Sequence, residues 1–79
     1  MSKQLHRFHA EAQVVVHTED PKQRREVIRA LGYRIHKQQG TTSALREFME
    51  AAIEQRPKQA NQLLGEFNGA LDGIGHWRA

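Results

Sequence analysis

Alternate positions from Phe8 place Phe8, Ala10, Ala12, Val14 and Val16 on one side of the chain and His9, Glu11, Gln13, Val15 and His17 on the other. A period of two marks a strand with one buried face. Phe8 to His17 is therefore expected to be a β-strand, with Val15 alone interrupting the polar face. Ala10 and Ala12 are weak strand formers, so pattern rather than propensity carries the reading. Next come Thr18, Asp20 and Pro21. A Thr or Asp side chain accepts the unpaired amides of a helix start, and proline suits the first helical position. A helix is expected to begin there.

After Pro21 the apolar spacing becomes helical. Val27, Ile28, Leu31 and Ile35 share one face, while Lys22, Arg25, Arg29 and His36 fall opposite, with Gly32 in the same ridge. Glycine costs roughly 1 kcal/mol inside a helix and is common just past a helix end. Two readings follow: a continuous helix through Gly32, or a helix ending at Leu31 with Tyr33 to His36 as a short second strand. Gly40, Thr41, Thr42 and Ser43 read as a turn and helix start. Beyond them Leu45, Phe48, Met49, Ala52 and Ile53 form an amphipathic stripe with Glu47, Glu50 and Glu54 on the far side. That helix should end near Arg56, because the residue before Pro57 is pushed out of helical geometry. A last helix carries Ala60, Leu63, Leu64, Phe67, Leu71 and Ile74, with Gly65, Gly69 and Gly73 at intervals of four on its other side. Three exposed helix glycines cost on the order of 2 to 3 kcal/mol relative to Ala, so either a neighbouring backbone packs closely there or, as the loop-like run Asp72-Gly73-Ile74-Gly75 favours, this helix frays early. Trp77 then either folds back over the core or stays exposed for a partner.

The expected fold class is α+β: one N-terminal strand and two or three amphipathic helices in a single small domain over residues 1–79. Charge changes the picture. The chain carries 12 Lys and Arg against 9 Asp and Glu, a formal charge of +3, which tilts it toward anionic partners. Six of those cations lie between Lys22 and Lys37 (Lys22, Arg24, Arg25, Arg29, Arg34 and Lys37) against Glu26 alone, whereas Glu47 to Glu54 holds three Glu and no cation. The absence of Cys removes disulfides, thiolate chemistry and Cys-based zinc sites. No apolar run is long enough to span a bilayer. Met1 to Arg7 has no apolar core of the kind a secretory leader needs. A cytoplasmic protein is the expectation.

Catalytic and cofactor signatures are missing. His6 and His9 are three residues apart, and on a strand His9 and His17 would be about 26 Å apart at roughly 3.3 Å per residue, with no carboxylate spaced to complete a metal site. No serine sits in a nucleophile elbow and no phosphate loop occurs. The Glu47, Glu50 and Glu54 ridge lacks a matched acid-base partner and reads as a solvated face. The chain is read as a non-enzyme without cofactor or metal.

A lone strand leaves a row of unpaired amides and carbonyls. Its partner would be Tyr33 to His36, the residues before His9, or the same strand of a second copy across a two-fold axis, which makes a homodimer. In that ribbon Gln13 would be able to read adenine in a major groove. The order strand, basic helix, glycine turn and amphipathic helix resembles the ribbon-helix-helix DNA-binding proteins over Ala12 to Ile53. The resemblance is carried by Ala12-Gln13-Val14-Val15-Val16, by Pro21, and by Gly40-Thr41-Thr42-Ser43 before Leu45. It implies that Gln13 and Val15 face bases and that amides near Thr42 and Ser43 hold a phosphate. Pro21 to Gly40 is about one helical turn longer than in that family, and the first apolar pair of the second helix comes about two residues late. The chain is not assigned to it.

Two functions compete. In one, a nucleic-acid-binding regulator of duplex DNA uses Lys22, Arg25 and Arg29, assisted by Arg24 and Arg34, to neutralise phosphates, with Gln13 adding base preference. In the other, a protein-binding adaptor or inhibitor sets the basic ridge against an acidic protein surface, or Gly65, Gly69, Gly73 and Trp77 against a partner helix.

Overall fold

The computed structural model describes residues 7–77. It holds four α-helices, α1 (His9–His17), α2 (Pro21–Gln39), α3 (Thr42–Gln55) and α4 (Ala60–Leu71), with a single 3-10 turn at Pro57–Gln59 leading into α4. No strand occurs among the described residues. The α+β expectation is thereby corrected to an all-helical fold.

The expected N-terminal strand is α1. Its sequence satisfies two periods at once. Phe8, Ala12, Val15 and Val16 are spaced for one helical face, and Phe8, Ala12 and Val15 are buried, with Val16 packed against the core. Val15, the misfit of the strand pattern, is fully buried, whereas Val14 is 52% exposed. Ala10, Glu11, Ala12 and Gln13 are all better helix than strand formers. A helix also closes its backbone bonds within itself, where a lone strand leaves half of them open. Thr18 ends the helix, its hydroxyl donating to the Val14 carbonyl at 2.7 Å.

The second strand expected at Tyr33 to His36 belongs to α2, which runs unbroken through Gly32. Asp20 caps its start, accepting from the Gln23 amide at 3.4 Å, Pro21 takes the first turn, and Gly40 closes its end with a φ of +68°. Gly32 was expected on the basic ridge and is instead buried. A Cβ there would run into the Leu71 side chain, so the glycine's cost in helix propensity is offset by a closer approach of α4. With both strands gone, the paired ribbon, the dimer built on it and the arrangement implied by the ribbon-helix-helix resemblance fall together.

Helices α2 and α3 each touch the other three, while α1 and α4 do not meet. Phe48 of α3 and Phe67 of α4 pack edge to face, with ring centroids 5.0 Å apart. Contacts between α2 and α4 advance together along both: Arg24 bonds Glu66, Arg29 bonds the Ala70 carbonyl, and Gly32 meets Leu71. The two helices therefore run parallel.

As expected, α4 stops at Leu71, before the glycine-rich segment. Gly73 and Gly75 take left-handed φ of +86° and +58°, a conformation that favours glycine. They turn the chain so that Ile74 and Trp77 fold back and are buried. Arg46 lies over the indole, 5.5 Å from the ring centroid.

Candidate docking groove

The side chains singled out on α2 separate into three groups. Arg24 lies on the same face as Ile28 and Ile35 and is buried. Its Nε and Nη2 donate to the two Glu66 carboxylate oxygens at 2.6 and 2.7 Å, and its Nη1 donates to the Thr18 and Glu19 carbonyls. One guanidinium thus ties α4 and the α1–α2 connection to α2. The hydrogen bond from Arg24 holds the Glu66 carboxyl below the usual carboxylate range, against the opposing effect of burial, and the Arg24 charge adds to the shift. The same hydrogen bond raises Arg24 above its ordinary value.

Arg29 is the second case. Its Nη1 donates to the Ala70 carbonyl at 2.9 Å and to the Asp72 carbonyl at 3.3 Å, satisfying carbonyls at the end of α4 that no helical amide reaches. Its charge is not cancelled, because both partners are neutral.

Lys22 and Arg25 are exposed and, with Arg29, line a groove of about 710 Å³ between α2 and α4. The opposite wall is made by Asn61, Gln62, Gly65, Gly69 and Ala70. A Cβ built at Gly65 or Gly69 would meet nothing within 4 Å, so the α4 backbone is open to the groove. Two acids also line it, Glu26 and Glu66. Glu66 is already paired with Arg24, which leaves three cations facing Glu26.

The remaining candidates lie elsewhere. Arg34 is exposed but follows Arg25 by nine residues, about 180° around a helix at 100° per residue. Gln13 is exposed on α1, which does not touch α4. Gly73 sits beyond the end of α4, and Trp77 is buried at 5% exposure. Trp77 is therefore part of the core rather than of an open surface. Its Nε1 has no hydrogen-bond partner.

The amides at the start of α3, which the resemblance offers to a phosphate, are partly taken by the chain: Ser43 N donates to Thr41 Oγ1 at 3.1 Å. His6 lies outside the described residues. Among those described, no group of three His, Cys, Asp or Glu is placed to hold a metal ion, and no helix is long and apolar enough to cross a membrane.

Sequence reasoning missed Glu66, the anchor of Arg24, which is the one buried cation among the described residues. Half of that signal was present: Arg24 stands four residues before Ile28, on the apolar side of the helix. Its partner is 42 residues away and no local pattern points to it. Comparison with protein families, curated proteins and solved structures finds no match.

Proposed function

We propose that this chain is a non-enzymatic, cytoplasmic binding module that docks an anionic macromolecular partner in the groove between α2 and α4. The observation that carries this reading is the convergence of two features that the sequence kept apart. Lys22, Arg25 and Arg29 form one wall, and Gly65 and Gly69 expose backbone on the other. Three cations against one unpaired acid give the groove a positive field, which steers an anionic partner and makes its binding salt-dependent.

The reading as a regulator of duplex DNA uses the same wall, but fewer of its residues. Arg24 is committed to Glu66, while neither Arg34 nor Gln13 lines the groove. Few phosphate contacts remain on one face, and non-specific DNA affinity scales with their number.

The test is a fluorescence-anisotropy titration against labelled poly-glutamate and a random-sequence DNA duplex at about 50 and 200 mM salt, a range over which several ionic contacts are readily resolved. Binding that weakens steeply with salt and drops at least about tenfold in Lys22→Glu/Arg25→Glu, with unchanged circular dichroism, is the expected result. If neither anion binds at low salt, or if the double reversal changes nothing, the groove is not an anion-docking site.

A further inference from the structure

We propose that the occupant of the α2–α4 groove is an acidic α-helix of another protein, laid along α4 with small residues over Gly65 and Gly69 and a row of carboxylates facing α2. This rests on the reading of the groove as an anion-docking site and adds the shape of the ligand.

The groove is bounded by two parallel helices and lined along both of them, from Pro21 to Arg29 and from Asn61 to Ala70. From Asn61 to Ala70 the α4 wall rises about 13 Å at 1.5 Å per residue, between two and three helical turns. Lys22, Arg25 and Arg29 follow one another at intervals of three and four, the spacing of a single helix ridge. A second helix laid beside that ridge matches it with acids at i, i+3 or i+4, and i+7. On the α4 side the absence of side chains at Gly65 and Gly69, four residues apart, lets another helix approach closer than the usual 8–10 Å between axes. Helix-in-groove recognition uses this combination of a spaced anchor row and a shaped floor.

Charge decides what kind of helix fits. On the α4 wall Asn61, Gln62 and the two glycines are uncharged and the Glu66 carboxylate is paired with Arg24, so a partner gains its ionic contacts along the α2 edge only. A duplex presents phosphates on both edges of each groove and meets no cation on α4's groove wall.

The chain's own acidic ridge is a poor occupant. Helix α3 is flanked by α1, α2 and α4, and Glu47 is already paired with Arg7 at 2.6 Å. Glu50 and Glu54 are exposed, but the helix that carries them packs against three others, and a helix that enters a groove must stand clear of its neighbours. The partner is another protein.

The experiment uses the full chain and a labelled synthetic helical peptide of 21 residues. The peptide carries Glu at i, i+3 and i+7 along one edge and, on the adjacent face, Ala at two other positions four residues apart, with a scrambled peptide of equal composition and a random-sequence duplex as controls. Expected are salt-dependent binding of the patterned peptide, at least tenfold weaker binding of both controls, and a loss of at least tenfold in Gly65→Leu and Gly69→Leu. A Cβ at either position meets nothing within 4 Å, and circular dichroism and thermal melts verify that the fold is kept. If the leucine variants bind as well as the parent while Lys22→Glu/Arg25→Glu does not, the groove docks anions but the close helix contact is wrong. If the scrambled peptide or the duplex binds equally well or better, the helical occupant is wrong. If the charge reversal has no effect either, the docking reading fails with it.

Discussion

Replacing Arg24 with Met removes a guanidinium and keeps an apolar stem of similar length. In the parent the pair with Glu66 is bidentate at 2.6 and 2.7 Å, and the two side chains are only 9% and 11% exposed. Removing one partner of such a pair strands the other as an uncompensated charge, at a cost of about 3–5 kcal/mol. The Thr18 and Glu19 carbonyls lose their donor as well, so the upper part of that range is expected. A chain of 79 residues has a total stability of about 4–12 kcal/mol. Arg24→Met therefore removes a third or more of it and lowers Tm by more than about 12 °C.

Urea denaturation followed by circular dichroism at 222 nm measures this. The double variant Arg24→Met/Glu66→Met closes the cycle and should recover most of the loss, because two apolar side chains replace a pair whose desolvation is costly. The pH dependence has a definite sign. Glu66 is held below its unfolded value, so its contribution is fully present above the unfolded carboxyl pKa of about 4.3 and is lost as pH falls through the lower folded value. The parent should lose this increment on acidification, and Arg24→Met should lack it. A single-variant effect below about 1 kcal/mol, with no recovery in the double variant, would place the pair among solvated surface bridges and rule out a structural role for it.

Trp77→Ala should destabilise the fold by about 3–5 kcal/mol, the range for truncating a buried large aromatic; a loss within about 0.5 kcal/mol in urea melts would mean that the C-terminal turn does not cover the core. Gly32→Ala should destabilise by about 1 kcal/mol, since overpacking against the fully buried Leu71 costs roughly 1–3 kcal/mol and improved helix propensity returns about 0.5–1; a higher urea midpoint would show that Leu71 can turn away. Gly69→Ala has open space and helical backbone, and a gain of about 0.5–1 kcal/mol is expected in the same assay.

Three of the helices were legible because their signals are local. Asp20 before Pro21, Gly40 before Thr41, and Arg56 before Pro57 act through backbone geometry and caps within a few residues, and they mark the start of α2, its end, and the end of α3. The stripe Leu45, Phe48 and Ala52 is buried as its spacing predicts. The first helix was misread because Phe8 to Val16 satisfies two periods. Position 15 separates them, apolar on the face that a strand would have left wet. The candidate site was legible only in halves, a cationic ridge on one element and a glycine row on another.

Legible from local pattern alone were the start of α2, the end of α3, the apolar faces of the later helices and the concentration of positive charge on one of them. Backbone preference and periodicity are set by neighbours a few positions apart. Packing between distant segments is what turns Arg24 inward to Glu66 while Lys22 and Arg25 stay in solvent, and what makes Gly32 a contact rather than a helix end. It also decided that α2 and α4 run side by side as the walls of one groove. Those outcomes depend on residues some forty positions apart, brought together by burial of a shared core, which no local pattern encodes.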